Sequence, residues 1–392
     1  MNNWKKCKLG DICSKITDGS HKSPPSQTSG FPMASVKDME YNQINLNTCR
    51  KISKEDYLEL VASGCQPEIN DILIAKDGSY LKHVFRVRTK EELVLLSSIA
   101  IIRPILEQVC PQFLTYVFKN KRFIEEIEAN YVTGAVIPRI VLRDFKEIEI
   151  TLPPLEEQRQ IATILSSIDD KIELLHEQNK TLEELAQTLF RHYFIENPNP
   201  SWQEKPLSGF GDIICGKTPS KKVDEYYNGD IPFIKIPDMH GNIFVFKTNE
   251  YLSELGSQTQ INKLIPKKSI CVSCIATVGV VSMNAFESHT NQQINSIVPK
   301  KEHYRYFLYL YMKHLYDYLQ SMASGGTATA NLNTRDFSNI HILMPDEEIM
   351  INFNGKTSEY FDKIFKNLEQ IQTLENMRDI LIPKLLNGER KE

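Results

Sequence analysis

Apolar residues follow two different periods along the chain, and the change of period divides it into regions. Short β-branched runs bounded by Gly, Pro and Asn are typical of strands, and residues 111–130 and 304–322 have the apolar content of helices. The predicted strands occupy residues 71–75, 97–102, 147–151, 269–273 and 339–343. Each mixed region therefore predicts a domain of strands and helices.

A seven-residue period follows each mixed region, and apolar residues seven apart form the seam of a coiled coil. Leu165, Ile172 and Leu185 are predicted to fill the turns beside the seam of the first helix. The predicted seam residues are Ile161, Ile168, Leu175, Leu182 and Leu189 in the first helix and Ile364, Ile371, Leu374 and Leu381 in the second.

Sequence signals mark where these long helices begin and end. The first is predicted to open at Leu152-Pro-Pro-Leu-Glu-Glu-Gln158, where proline and carboxylates suit a helix N-terminus. It is predicted to end at the breaker Asn197-Pro-Asn-Pro200. The second runs from about 346 to 388.

The sequence contains an internal repeat, in which two copies of one unit follow each other along the chain. Residues 31–39 match 231–239, Arg143-Asp-Phe145 matches Arg335-Asp-Phe337, and Thr181-Leu-Glu183 matches Thr373-Leu-Glu375. These matches keep one order and drift only by small insertions, which argues against chance. The predicted boundaries are 1–152 and 198–345 for two mixed domains, and 153–197 and 346–392 for two long helices.

The fold class expected from this pattern is α+β: two tandem domains of mixed sheet and helices, each followed by a long helix. A helix of about 40 residues is roughly 60 Å long and must bury its apolar stripe. The repeat offers the other long helix as partner, which gives an antiparallel coiled coil. The alternative is that each helix packs only on its own domain.

Composition is that of a globular protein, with 41% hydrophobic and 24% charged residues. The net charge of −4 excludes a strongly basic chain, but it is unevenly distributed. The long helices carry −8 and the mixed regions +4. This separation suits a nucleic-acid reader on an acidic stalk, although solvated helices are also often charged.

The cysteines and termini point to a reduced, water-soluble protein. Cys271 and Cys274 form a CxxC inside an apolar run, without a second pair to complete a zinc site, and are interpreted as buried thiols. The N-terminal residues have no apolar signal region, and no apolar stretch is long enough to span a bilayer. We expect a cytoplasmic protein without membrane contact.

Catalytic motifs are weak. Gly211 to Thr218 fits GxxxxGK[ST], but the residues after it have no helical apolar face, and the matching stretch of the first copy lacks both glycines. The pattern therefore argues against nucleotide hydrolysis. Basic clusters are predicted to lie in loops: Lys5-Lys6-Cys-Lys8, Lys217 with Lys221-Lys222, Lys267-Lys268 and Lys300-Lys301. The chain is predicted to be a binding subunit and not an enzyme.

These residues resemble a known family. Leu152-Pro-Pro-Leu-Glu-Glu-Gln158-Arg-Gln-Ile-Ala162, running on to Ile168-Asp-Asp-Lys-Ile172, is similar to the helix of type I restriction–modification specificity subunits (HsdS). Gly216-Lys-Thr-Pro219 and Ser324-Gly-Gly-Thr through Asn331 resemble that family's target-recognition domain. The resemblance covers essentially the whole chain. The second copy departs from it at Met344-Pro-Asp-Glu-Glu-Ile349.

The resemblance implies that each mixed region reads one half of a bipartite, asymmetric site on double-stranded DNA. The long helices would set the spacing and bind two modification (methyltransferase) subunits. Those partners would carry S-adenosylmethionine, and restriction (translocase and nuclease) subunits would carry ATP and Mg. This chain would bind no cofactor and no metal. The alternative function is a non-catalytic coiled-coil scaffold with two protein-binding heads.

Polar and basic residues in the loops are the predicted DNA contacts, because phosphates are bound by Lys and Arg and base edges by polar side chains. In the first copy they are Lys22, Ser79, Tyr80, Lys82 and Arg139; in the second they are Lys217, Ser220, Lys221, Lys222, Thr277, Thr327 and Asn331.

Overall fold

The computed structural model describes residues 4–77, 83–133, 139–324 and 330–386, with the backbone alone at 132, 133 and 139. The chain divides into two compact units. Unit 1 comprises residues 1–173 and 371–392, and unit 2 comprises residues 174–370. Residues 4–152, which belong to unit 1, are called head 1. Residues 198–345, which belong to unit 2, are called head 2.

Head 1 contains a four-stranded antiparallel sheet in the order Cys13–Asp18, Ile99–Pro104, Ile72–Ala75 and Val84–Arg86. Three shorter strands, Arg50–Ile52, Phe31–Ala34 and Val94–Leu95, form a second sheet. Two-residue strands pair at Val132–Thr133 and Arg139–Ile140. The helices of head 1 are Lys54–Ala62, Pro111–Lys119, Lys121–Tyr131 and Leu142–Glu147.

Head 2 repeats this plan with one more strand in the main sheet. The order is Gly211–Cys215, Ile294–Pro299, Ile270–Ser273, Val281–Asn284 and Phe244–Val245. The second sheet is formed by Glu250–Leu252, Tyr227–Ile234 and His289–Thr290. The helices are Ile236–Met239, Glu254–Gln258, Arg305–His314, Tyr316–Ala323 and Thr334–Ser338. The five predicted strands are confirmed, each within three residues of its expected bounds.

Equivalent residues cap equivalent turns in the two heads, which explains the sequence match of 31–39 with 231–239. Buried Asp38 accepts the backbone N–H of Ser35, and buried Asp238 accepts that of Lys235, both at 2.8 Å. A carboxylate placed three residues after the start of a helical turn satisfies a backbone donor that the turn leaves free. The repeat therefore preserves a structural carboxylate in each head.

A two-stranded ribbon connects each head to the long helix that follows it. In unit 1, strand Lys5–Lys8 pairs antiparallel with Glu149–Leu152, and in unit 2 strand Gln203–Pro206 pairs with His341–Met344. The prediction that Lys5 to Lys8 lie in a loop is wrong, because the backbone donors and acceptors of this segment pair with a strand 140 residues away in sequence, which local composition does not reveal.

The long helices run from Leu155 to Phe190 and from Glu347 to Leu386, and we call them stalk helix 1 and stalk helix 2. A π-helical turn, Arg191–Glu196, extends stalk helix 1 up to the predicted breaker at Asn197. Gln158 anchors the start of stalk helix 1: its side chain accepts from the Cys110 backbone N–H at 2.9 Å and donates to the Pro153 carbonyl at 2.9 Å.

The stalk helices pair antiparallel, as the predicted fold class requires. In unit 2, Asn179 bonds Asn367 at 2.8 Å, whereas Tyr193, further along stalk helix 1, bonds Lys356, earlier in stalk helix 2. In unit 1, Arg378 donates to Asp169 at 3.0 Å. Ile382 and Leu386 share the core of head 1 with Ile161, Ala162 and Leu165.

Candidate nucleic-acid interface

Four loop segments meet at one end of the main sheet of head 2, and we call them the loop edge of head 2: residues 216–223, 274–279, 291–293 and 330–331. Backbone hydrogen bonds join them. The Lys217 N–H donates to the Thr290 carbonyl at 2.9 Å, the Cys274 N–H to the Gln293 carbonyl at 2.8 Å, and the Ala276 N–H to the Ala330 carbonyl at 2.9 Å. The strands thus present several loops at one place, as recognition surfaces commonly do.

Head 1 builds the same edge from residues 19–22, 76–77, 95–98 and 140–141, the loop edge of head 1. Three backbone bonds of this edge recur in head 2: two are the Lys217 and Cys274 bonds, and the third is a bond from the Leu332 N–H to the Cys274 carbonyl at 2.8 Å. The Ser20 N–H donates to the Leu95 carbonyl at 2.7 Å, the Lys76 N–H to the Ser98 carbonyl at 3.0 Å, and the Ile140 N–H to the Lys76 carbonyl at 3.3 Å. The repeat therefore extends to the backbone of both edges.

A glycine is required at the same place in each edge. A Cβ on Gly19 would lie 2.2 Å from the Leu95 carbonyl oxygen, and a Cβ on Gly216 would lie 2.2 Å from the Asn291 carbonyl oxygen. The expectation that the first copy lacks both glycines is therefore wrong. A bulge between Cys13 and Lys15 shifts the register, so that Gly19 takes the place of Gly216.

The phosphate-binding-loop pattern at 211–218 has no helix at its Gly-Lys. Strand Gly211–Cys215 is followed by a loop, and the next helical element is the single turn Asp224–Tyr226. A phosphate-binding loop needs a helix N-terminus at that point. Gly216 is explained instead by the close approach of the Asn291 carbonyl, and the prediction that a loop follows the motif is confirmed.

The predicted basic residues of head 2 lie together at its loop edge. Lys217 and Lys222 are exposed, and neither has an ion-pair partner among the described residues. Lys221 lies 3.6 Å from Glu250, which also pairs with Lys235. Two cations at this edge thus remain available to an anionic ligand. Three other predicted contact residues of the same edge are exposed: Ser220, Thr277 and Asn331.

Only some of the predicted DNA contacts of head 1 lie within the described residues. Lys22 is exposed and ion-paired with Glu59, and this hydrogen bond raises the pKa of Lys22. The backbone of Arg139 lies beside the loop edge of head 1, in a short strand that leads into Ile140. Ser79, Tyr80 and Lys82, and Thr327 of head 2, lie outside the described residues.

Two other basic clusters lie away from the loop edge of head 2. Lys267 and Lys268 precede strand Ile270–Ser273, and Lys300 and Lys301 follow strand Ile294–Pro299, at the opposite end of the same sheet. Lys268 pairs with Asp362 at 2.9 Å, and Lys301 pairs with Glu347 at 2.6 Å. Both acidic partners belong to stalk helix 2, so Lys268 and Lys301 connect head 2 to that helix.

The two loop edges differ in the chemistry of the buried side chains beneath them. In head 1, Lys76 lies 3.3 Å from Asp18, and both side chains are about nine-tenths buried. The strand registers place Cys274 and Cys215 at these positions in head 2. Burial raises the pKa of Cys274 to about 11, so it is a neutral thiol at neutral pH. An ion pair therefore supports one edge and a neutral thiol the other.

Sequence reasoning missed the turn Asn291-Gln292-Gln293 at the loop edge of head 2. Gln292 is exposed, and its Oε1 accepts from the Thr218 hydroxyl at 2.5 Å. Three successive amide side chains were the available signal, because carboxamides are frequent readers of base edges. Only the fold shows that the turn lies beside Lys217.

The predicted seam residues are buried to different degrees. Leu182, Leu189, Leu374 and Leu381 are half-buried. The fully buried ones are Ile161, Ile168, Leu175, Ile364 and Ile371. Leu185, expected to fill a turn beside the seam, is 46% exposed, and Ala186 is buried in its place. The placement of Leu185 beside the seam is therefore wrong.

Three further features bear on cofactors and membranes. All eight cysteines are free, and Cys271 and Cys274 are buried as predicted. Within the described parts of the chain, no group of three or more His, Cys, Asp or Glu side chains is arranged to hold a metal ion. None of the described helices combines the length and apolar character needed to cross a membrane.

Comparison with known proteins agrees with this architecture. The family model described as type I restriction modification DNA specificity domain matches residues 1–184 and again 199–377. The HindI specificity subunit of Haemophilus influenzae is 32% identical, covering 99% of this chain and 100% of the relative. The MjaIX specificity subunit of Methanocaldococcus jannaschii is 28% identical over 72% of this chain and 69% of the relative.

A crystal structure of the S subunit of a type I restriction–modification system from M. genitalium has the same fold. It superposes with a TM-score of 0.61 at 17% identity, covering 98% of this chain and 96% of that one. The duplicated family match and the full-length relative at 32% identity are decisive. The chain therefore belongs to the family of specificity subunits of type I restriction–modification enzymes, which are themselves non-catalytic.

Proposed function

We propose that each head reads one half of a bipartite, asymmetric site on double-stranded DNA through its loop edge. The observation that supports this most is the loop edge of head 2, where exposed Lys217 and Lys222 flank exposed polar side chains on a rigid backbone. Lysines bind phosphates and polar side chains bind base edges. The two edges share a backbone but not side chains, as two different half-sites require.

A charge-matched pair of variants tests the edge. The double variant Lys217→Ala/Lys222→Ala removes two cations from the loop edge, and Lys267→Ala/Lys300→Ala removes two from the opposite end of the same sheet. Each phosphate contact contributes about 0.9 to the slope of log affinity against log salt. In the complex with the modification subunits, we expect the slope to fall by about 2 for the edge variant and to stay unchanged for the control.

Sequencing of modified bases in cells decides whether the complex reads one bipartite motif. We expect a single adenine-methylated motif to disappear when the gene is deleted. Equal salt slopes for the two double variants, or a methylome that deletion leaves unchanged, would reject the DNA-reading role. That result would favour the alternative of a scaffold whose heads bind proteins.

We further propose that the stalk helices set the spacing between the half-sites and bind two modification subunits. Equivalent residues of the repeat support the number two: Leu185 in unit 2 and Met377 in unit 1 are 46% and 47% exposed. Leu174 in unit 2 and Ile380 in unit 1 are exposed as well. Exposed apolar side chains on an otherwise acidic helix suit a protein partner and not DNA.

The stoichiometry of the assembly tests this docking. Leu185→Asp and Met377→Asp should each release one of two modification subunits, because each places a charge in one of two equivalent apolar contacts. Native mass spectrometry counts the copies that remain. The controls Leu58→Asp and Leu255→Asp alter leucines of the heads that are 53% and 62% exposed, and should retain both copies. Two bound copies on the Leu185 and Met377 variants would contradict the docking.

In this proposal the chemistry resides on the partners. The modification subunits bind S-adenosylmethionine and methylate adenine, and restriction subunits use ATP and Mg to translocate and cleave DNA. The present chain contributes selection of the site and the geometry of the assembly, in the cytoplasm where the DNA lies.

A further inference from the structure

The turn Asn291-Gln292-Gln293 presents one carboxamide to solvent, and the other two form hydrogen bonds within the turn. The Asn291 Nδ2 donates to Gln293 Oε1 at 2.9 Å, and Asn291 Oδ1 accepts the Gln293 backbone N–H at 3.1 Å. Asn291 is 7% exposed, Gln293 is half-buried, and Gln292 is exposed. The flanking amides are therefore internal supports of the turn, and Gln292 is the side chain left for a ligand.

The backbone on both sides of Gln292 is fixed to the sheets. The Asn291 N–H donates to the Ile234 carbonyl at 3.1 Å, and the Gln293 carbonyl accepts from the Cys274 N–H at 2.8 Å. Gly216 lets the turn approach, because a Cβ there would meet the Asn291 carbonyl oxygen. A side chain on so constrained a turn is positioned before it meets a ligand.

Thr218 sets the orientation of the Gln292 carboxamide. Its hydroxyl donates to Oε1 at 2.5 Å, which leaves the second lone pair of that oxygen and both Nε2 hydrogens available. The side chain thus offers one acceptor and one donor next to each other. Adenine shows the complementary pair in the major groove, the N6–H donor and the N7 acceptor, whereas guanine shows two acceptors.

From this geometry we infer that Gln292 reads an adenine in the half-site bound by head 2, with Thr218 as the residue that positions it. The inference rests on the proposed DNA-reading function and adds the base and the residue. Head 1 has Ser97 and Ser98 at the positions of Gln292 and Gln293, so the assignment applies to one half-site.

The experiment compares wild-type and Gln292→Ala complexes, each assembled with the modification subunits. The methylome of cells carrying the variant should show the recognition motif relaxed at one adenine position in one half, with the other half unchanged. In binding assays, 7-deazaadenine at that position removes the N7 acceptor; it should weaken the wild-type complex about tenfold and leave the variant unaffected. Thr218→Val should show an intermediate loss of discrimination.

Gln203→Ala, an exposed glutamine on the ribbon strand Gln203–Pro206, is the matched control and should retain the full motif. An unchanged motif for Gln292→Ala, or relaxation at a position that is not adenine, overturns the assignment. The salt slope of the Lys217→Ala/Lys222→Ala variant then still reports on the proposed function. A wild-type complex that recognises no bipartite site would instead overturn the proposed function itself.

Discussion

The two units place opposite chemistry at equivalent positions where a head meets the stalk. In unit 1 this position is Asp169, which is 3% exposed and accepts from Tyr116 at 2.8 Å and from Arg378 at 3.0 Å. In unit 2 the repeat places Phe361 there, fully buried and stacked on Tyr306 with ring centroids 4.3 Å apart. One junction is an ionic network and the other is an aromatic cluster.

The smaller sheets show the reverse difference. In head 1, Tyr57 and Val94 belong to a buried apolar cluster. At the equivalent positions head 2 has Ser257 and His289, both buried and joined by a hydrogen bond of 2.9 Å between Oγ and Nε2. Head 1 therefore has an apolar small core, and head 2 a polar one.

These differences at equivalent positions indicate that the duplication preserved backbone geometry more strictly than side-chain chemistry. Capping carboxylates, most strand pairings and the edge glycines recur, because each satisfies a backbone requirement that has few solutions. Buried contacts diverged, because an ion pair or a packed ring can fill the same position when its neighbours change with it. The loop edges show both behaviours, because their backbone hydrogen bonds recur while their exposed side chains differ.

The largest loss of stability is expected on substitution of Asp169. Asp169→Ala leaves Arg378 with the exposed carboxylate of Asp379 in place of a buried one, and Lys119, 4.0 Å from Asp169, loses its nearest anion as well. Burial already lowers the pKa of Lys119 to about 8. Breaking a buried pair by removing one partner costs about 3–5 kcal/mol. The measurement is the free energy of unfolding of unit 1 from urea denaturation.

Asp170→Ala is the matched control, since Asp170 is the next residue and its ion pair with Arg88 is solvent-exposed. Such a pair contributes at most about 1 kcal/mol. Asp169→Phe, which installs the residue of unit 2, should not restore stability, because Arg378 would still lack its buried partner and keep only the exposed pair with Asp379. Restoration by Phe would show that the position responds to volume alone and would remove the contrast between the junctions.

Much of the fold followed from the sequence because its signals are local. The seven-residue period and the Asn197-Pro-Asn-Pro breaker defined stalk helix 1, and β-branched runs located five strands of the sheets. The strand at Lys5–Lys8 and the exposed Leu185 were not predicted, because both depend on partners distant in sequence. A short segment of three lysines and one cysteine does not distinguish a loop from an edge strand.

The candidate site was only partly predictable for the same reason. Lys217 and Lys222 were recognised as a basic loop, but their position beside Gln292 depends on strand pairing across about 75 residues. Lys268 and Lys301 had the same local signal, and the fold turns them toward Asp362 and Glu347 of stalk helix 2. Composition cannot separate lysines that bind a ligand from lysines that bind the protein itself.

A smaller effect is expected from acid, as a pH dependence confined to the polar core of head 2. Burial lowers the pKa of His289 to about 4, below the value of about 6.5 that the unfolded chain has. Above pH 6.5 the ring is neutral in both states. As the pH falls from 6.5 toward 4 only the unfolded state gains the proton, so stability is lost over this window, by about 3 kcal/mol at most.

The variant His289→Val/Ser257→Ala removes both the titrating ring and the hydroxyl it bonds, which makes this site apolar as in head 1. We expect its thermal midpoint to fall less than that of the wild type between pH 7 and pH 4.5. Other groups titrate in both proteins and cancel in the difference. His240→Gln, which alters an exposed histidine of the same head, should keep the wild-type acid dependence. Equal acid dependence for the double variant and the wild type would mean that His289 takes up its proton without unfolding; the two small cores would then differ in composition but not in response to acid.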